Sequence, residues 1–189
     1  MGGLPGRHRK KWRAPYHPWK RDLLMQELEL VGRYGLRNKR ELWRVKAEVS
    51  RVRRIIRGIL SKPREEQERI GGPVLARLKR LGVLPPDATF DDVLDLKPEQ
   101  FLERRIQTIV FKKGLARTIH QARQMVVHGH IAIGDKIVWS PGYLVSVDEE
   151  PLVRYSPKSP FNDSNHPIHQ TLKQEKPEEE ESEEVEEVE

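Results

Sequence analysis

Arg117, Gln121, Gln124 and His128 recur at intervals of four, three and four residues. On a helix they fall within about 60° of one another at ~100° per residue. All four are long polar side chains able to donate hydrogen bonds, and no carboxylate shares their face. Arg offers a planar fork for phosphate oxygens. Gln can bridge a phosphate, a 2′-hydroxyl or a base edge. His titrates near neutrality, so its charge responds to a neighbouring phosphate. The face suits an anionic, hydrogen-bond-accepting partner, and nucleic acid is the obvious candidate. Read-out by shape and backbone is expected rather than by base sequence, because A-form grooves hide the bases.

The elements that must position these groups follow from the local pattern. Thr118 reads as an N-cap, Ile119, Ala122 and Val126 as the buried face of a helix, and Gly129 as its end. The period then changes to two. His130–Ile133 and Lys136–Trp139 read as strands joined by a Gly134-Asp135 hairpin turn, with Tyr143–Val147 and Leu152–Tyr155 as two more. Upstream, Pro98–Lys113 reads as one helix with Leu102, Ile106, Ile109 and Val110 inward, Arg105, Thr108 and Lys112 on the other side, and Gly114 as its stop. Arg104 and Arg105 have Glu99 and Glu103 within reach along that helix.

The first half is helical in pattern. Lys20–Tyr34 is a helix with Leu23, Leu24, Leu28 and Val31 inward, ended by Gly35. Asn38 caps a longer helix, Lys39–Leu60, whose inward face is Leu42, Val45, Val49, Val52, Ile56 and Ile59. Arg40, Arg44, Arg51 and Arg54 form one stripe on it and Lys46, Arg53 and Arg57 another. Acidic partners are few after Glu48, so the stripes read as phosphate contacts. Pro63–Ile70 continues as helix, Gly71-Gly72-Pro73 interrupts it, and Val74–Leu81 forms a short helix. Pro85-Pro86 is a hinge, and Thr89 caps another short helix holding Phe90, Val93 and Leu94.

Charge separates the chain further. The net charge is +6, yet Glu175 to Glu189 holds ten Glu and one Lys. The 174 residues before it carry 34 basic and 19 acidic side chains, a body of +15 beside a tail of −9. Such a body repels itself unless a polyanion neutralises it. The N-terminal arm concentrates this charge in Arg7, Arg9, Lys10, Lys11, Arg13 and Lys20, interleaved with Trp12, Tyr16, His17 and Trp19 and broken by glycines and prolines. Two readings of the arm stand side by side: it lies along RNA with its rings stacking, or its aromatics dock on its own domain.

Several classes are excluded. With no cysteine there is no disulfide, thiolate zinc site or cysteine nucleophile. His120, His128 and His130 lie on different element faces with carboxylates sparse nearby, so no metal is expected. No nucleophile–base pair and no phosphate loop of the Walker type appears. No cofactor and no enzymatic activity are expected. No apolar run approaches the ~20 residues of a membrane span, and the N-terminus lacks the apolar region of a secretory signal.

The module also carries a resemblance. Gly114-Leu115-Ala116-Arg117, Gln121-Ala122-Arg123-Gln124, Val127-His128-Gly129-His130, Gly134-Asp135-Lys136 and Ser140-Pro141-Gly142-Tyr143 are similar to the RNA-binding module named after ribosomal protein S-four. With His17-Pro18-Trp19, Glu41-Leu42-Trp43, the run Leu75 to Gly82 and the run Leu102 to Thr108, the chain from about Arg9 to Pro167 resembles the archaeal-type S-four family of the small ribosomal subunit. The resemblance implies an α+β fold, with a mostly helical N-terminal half, a small two-helix and β-hairpin (αL-like) module, and extended termini. The expected division is a basic arm at 1–20, a helical rRNA-binding region at 21–97, the module at 98–155, an irregular wrapping segment at 156–172 and an acidic tail at 173–189.

The resemblance further implies a structural constituent of the small subunit that binds 16S-type rRNA directly. It would nucleate assembly of the 5′ domain, contribute to decoding accuracy beside protein S-five, and lie near mRNA at the entry channel, as a cytoplasmic ribosomal protein that does not self-associate. By position the family's RNA-facing residues fall on Arg105, Lys112, Arg117, Gln121, Arg123, Gln124, His128, His130 and Lys136, with Lys113 a neighbouring candidate. Members with a zinc knuckle use cysteines, which this chain lacks, and Gly134-Asp135 stands where many have Asn-Gly. The alternative is a non-ribosomal small-subunit assembly factor of the same architecture. An RNA-modifying enzyme bearing this module would need about 200 further residues for catalysis.

Overall fold

A computed structural model describes residues 10–163 and 166–167. Arg7, Arg9 and the acidic tail lie outside the described residues. The chain divides into two compact units, the first made of residues up to Lys79 together with Leu84–Leu102, the second of Arg80–Val83 and the chain from Glu103 onward. The elements are α1 (Arg21–Arg33), α2 (Lys39–Leu60), α3 (Arg64–Arg80), α4 (Pro98–Glu103), α5 (Ile106–Lys112), α6 (Ile119–Val127), β1 (Ile131–Ile133), β2 (Lys136–Ile137) and β3 (Val153–Tyr155), with single 3-10 turns at Glu150–Leu152 and Pro160–Asn162. Among the described residues six helices and one small antiparallel sheet make the fold α+β, as expected.

In the first unit α1 and α2 form a hairpin closed by Tyr34, Leu36, Leu42 and Leu102, with Leu30, Val31 and Val45 against them. Asn38 adopts extended backbone and its Oδ1 accepts from the Glu41 N–H at 3.2 Å, which starts α2. The inward face of α2 is as its period requires: Leu42, Val49, Val52, Ile56 and Ile59 are buried, and Val45 is half-buried. In α1 the pattern is only partly met. Leu28 is 49% exposed, and the one buried residue of the helix is Glu27.

Two expectations about this unit fail. Residues 64–80 are one helix, with no interruption at Gly71-Gly72-Pro73. A Cβ at Gly71 would stand 2.7 Å from the Phe90 ring, so the glycine admits a neighbour's ring rather than making a turn. Pro73 is accommodated inside the same helix. Residues 90–95 form turns and not a helix. Asp92 Oδ2 accepts from the Thr89 N–H at 2.6 Å and from its hydroxyl at 3.0 Å, a contact of the kind that starts helices, yet only turns follow it.

The second unit packs α5 and α6 against a sheet of order β2-β1-β3, antiparallel throughout. Ile106, Ile109, Val110, Ala116, Ala122, Met125, Val126, Ile131, Val145 and Val153 make its core. Here too a predicted helix and a predicted strand are absent, and each absence explains the other. The Pro98–Lys113 helix breaks at Arg104–Arg105, where Arg105 takes extended backbone (φ −71°, ψ 141°). Tyr143–Val147, expected as a strand, makes one bridge there, Arg105 with Leu144. The Ile106 N–H donates to the Tyr143 carbonyl and the Val145 N–H to that of Arg104, both at 2.9 Å. Backbone groups freed by the helix break are thereby satisfied.

Candidate nucleic-acid interface

Thr118 starts α6 as expected, its Oγ1 accepting from the Gln121 N–H at 3.2 Å. Gly129 ends it at φ +75°, and a Cβ there would meet the Trp139 ring at 2.5 Å. At the hairpin tip only Gly134 has positive φ (58°), the type II′ pattern. Arg154 bridges that tip to β3, donating to the Gly134 carbonyl and to Asp135 Oδ1, both at 3.2 Å.

On this scaffold Gln121, Gln124, His128 and His130 line one concavity of about 300 Å³, together with Met125 and Phe161. Gln124 and His128 are exposed. Gln121 Oε1 accepts from the backbone N–H of Arg117 at 2.7 Å, which fixes the amide against the helix N-terminus. His130 shares a 3.0 Å hydrogen bond between Nδ1 and Ser159 Oγ, and its ring meets Phe161 edge-on with centroids 4.6 Å apart. Burial first, and the charge of His128 second, hold the His130 ring below its usual pKa.

The predicted cations sort into two groups. Arg117 and Lys136 are exposed at the module's surface. Lys112 is also exposed and lies 3.8 Å from Glu103. Lys113 is half-buried and donates to the backbone carbonyls of Glu150 and Val153. Arg123 is half-buried and donates to Gln107 Oε1 at 3.3 Å. Arg105 is 5% exposed, with Nε directed at the Pro141 carbonyl. Arg104 pairs with Glu150 at 2.7 Å and donates to the Val145 carbonyl, not with Glu99 or Glu103 on its own helix. Glu99 and Glu103 lie five and one residues before Arg104, spacings that do not face it on a helix, and the helix itself ends at Glu103.

In the first unit Arg40, Arg44, Arg51 and Arg54 are all exposed along α2. Of the second stripe, Arg57 is exposed, while the half-buried Lys46 pairs with Glu27 at 2.9 Å and the half-buried Arg53 donates to the Leu96 carbonyl at 2.6 Å. Lys10, Lys11, Arg13 and Lys20 are exposed on the arm. Trp12 is not: its ring lies 5.5 Å from that of Trp43, with Lys10 and Arg40 over it at 5.3 and 5.7 Å. Arm and α2 thus border a cleft of about 600 Å³ whose lining includes Lys10, Lys11, Arg13, Lys46, Arg51 and Arg54.

Three contributors are not legible in the sequence pattern, or only faintly so. Phe161 lies in a segment without periodicity, and nothing local signals its return to His130. Gln107, 1% exposed, ties Arg123 to the Ile119 carbonyl at the start of α6, and a polar residue between Ile106 and Thr108 gives no cue. Glu27 does leave a signal: it is four residues from Leu23 and from Val31 on the apolar face of α1. Among the described residues no group of three metal-ligating side chains could hold an ion. No helix among them is long and apolar enough to cross a membrane.

A small helix pair over a hairpin, with amide and imidazole groups lining one concavity and Arg117 just before the α6 N-cap rather than on the helix as expected, defines an RNA-binding module of the S4 class, and residues 104–150 match the family described as the S4 domain. Similarity extends well past that module. The chain is 55% identical to the small ribosomal subunit protein uS4 of Hyperthermus butylicus, over 92% of this chain and 97% of that one. It is 50% identical to the uS4 proteins of Ignicoccus hospitalis, covering 84% of this chain and 96% of the relative, and of Sulfurisphaera tokodaii, covering 89% and 94%. The chain belongs to the uS4 family of small ribosomal subunit proteins.

Proposed function

We propose that this protein is a structural constituent of the small ribosomal subunit, not an enzyme, and that it binds the subunit's ribosomal RNA directly. The observation that carries the reading is the match to uS4 proteins along nearly their whole length, 97% of one relative at 55% identity. The S4 domain at 104–150 supports RNA as the immediate partner. Within that domain the contact face is the concavity of Gln121, Gln124, His128 and His130, flanked by the exposed Arg117 and Lys136. In the helical region 21–97 it is the exposed stripe Arg40, Arg44, Arg51 and Arg54, with the arm's Lys10, Lys11 and Arg13 beside it. Arg105, Lys113 and Arg123 serve the module by holding it together. In finer terms, the protein binds the 5′ portion of the small-subunit RNA, enters assembly early, adjoins protein S-five near the mRNA entry channel and so influences decoding, as part of the cytoplasmic ribosome.

The test is binding of the full chain to a transcript of the 5′ portion of small-subunit rRNA, competed with tRNA at moderate salt. Binding that survives competition is expected. Equal affinity for both RNAs would overturn the reading, as would presence in precursor particles but absence from mature small subunits on co-sedimentation.

A further inference from the structure

Glu27 is the buried charge of the first unit. At 1% exposure it accepts from Trp43 Nε1 at 3.0 Å and from Lys46 Nζ at 2.9 Å, both at Oε1. Its Oε2 has no hydrogen bond and lies 3.5 Å from Lys39 Nζ. A buried carboxylate with one oxygen so poorly served is a weak source of stability, since desolvation offsets much of its attraction to the lysines. Its geometric effect is more specific. The indole N–H that it holds belongs to the ring on which Trp12 packs. Trp12 in turn sits among the arm's cations, between Lys10 and Lys11 on one side and Arg13 on the other.

We propose that Glu27 is a positioning residue for RNA binding: by orienting Trp43 it keeps Trp12, and with it the arm, seated on α2 before RNA arrives. Lys10, Lys11 and Arg13 then have fixed places across the cleft from Arg51 and Arg54, and an RNA strand entering it meets an ordered cationic surface. An arm that is ordered beforehand loses less conformational entropy on binding. The inference rests on the RNA-binding function proposed above for its consequence, but not for its structural half.

The full chain tests both halves. Glu27→Leu keeps the volume and removes the acceptor; the lysines it leaves, 26% and 33% exposed, can turn their ammonium groups toward water, and circular dichroism of the variant checks that it is folded before cleavage is compared. Glu27→Gln keeps an oxygen for the Trp43 N–H. In the absence of RNA, tryptic cleavage at Lys10, Lys11 and Arg13 is expected to rise roughly 5-fold or more in Glu27→Leu, reflecting a larger open population of the arm, and to stay within about twofold of the unaltered chain in Glu27→Gln. Affinity for the 5′ transcript is expected to fall roughly 5-fold in Glu27→Leu, but less than about twofold when Trp12→Ala has already released the arm, because coupled residues are not additive. Unchanged cleavage in Glu27→Leu would overturn the proposal, and so would an affinity loss of full size in the Trp12→Ala background, the mark of a merely structural role. Failure of the unaltered chain to bind the transcript would overturn the function instead, while the proteolysis still decides the link from Glu27 to the arm.

Discussion

Arg117 and Arg105 look alike in sequence, two arginines in a basic module, yet they differ in exposure and on the proposed function should respond oppositely to salt. Arg117 is exposed, whereas Arg105 is 5% exposed. Removing a side chain that neutralises one phosphate lowers the magnitude of the slope of log K against log salt by about 0.9. Arg117→Ala together with Lys136→Ala should therefore lower it by about 1.8. Between about 50 and 200 mM salt, where the unaltered chain weakens steeply, the affinity of the double variant should fall by a factor about 12-fold smaller. Arg105→Ala should leave the slope unchanged. Its cost falls on folding, about 1–3 kcal/mol, because the Pro141 carbonyl loses its guanidinium and a buried side chain is removed. Filter binding of the 5′ transcript across a salt series, paired with urea unfolding of each variant, measures both quantities. If Arg105→Ala flattens the slope by as much as Arg117→Ala while unfolding is unaffected, sorting the cations by burial is wrong.

Other outcomes follow from the same structure. Gly129→Ala forces a residue with a Cβ into φ +75°, which costs about 1–2 kcal/mol; the Trp139 ring end it meets belongs to a side chain 62% exposed that can swing aside, so thermal unfolding should show the backbone cost and little more. Gln107→Leu removes the shared partner of Arg123 and of the Ile119 carbonyl, and urea unfolding should show a loss of about 1–3 kcal/mol. Burial alone would raise the Glu27 pKa, but hydrogen bonds from Lys46 and Trp43 and the charges of Lys46 and Lys39 outweigh it, so the net shift is downward. A carboxylate lowered on folding adds stability above its unfolded pKa of about 4.3 and loses that contribution as pH falls through the folded value. Acid unfolding followed by circular dichroism should accordingly be shallower in Glu27→Gln than in the unaltered chain, and identical pH dependence would show that the carboxylate is not charged in the fold.

Periodicity and capping were enough, without any tertiary information, to determine α2 with its Asn38 cap and buried face, α6 with its Thr118 cap, the Gly134-Asp135 turn and the clustering of Gln121, Gln124 and His128. Each of these depends on neighbours within a few residues along the chain. The family, too, was legible in the motifs of the module and the N-terminal half. Tertiary structure alone decided the rest, because the partners are remote in sequence. The helix through Gly71 to Pro73 carries the Phe90 ring against Gly71, a partner remote in sequence, and at the helix break by Arg105 residues 143–145 supply the hydrogen bonds. Which cations face outward was settled the same way: Glu27 takes Lys46, the Leu96 carbonyl takes Arg53, and Gln107 takes Arg123. Charge pattern along a chain counts basic groups, but only packing determines which of them remain exposed for a partner.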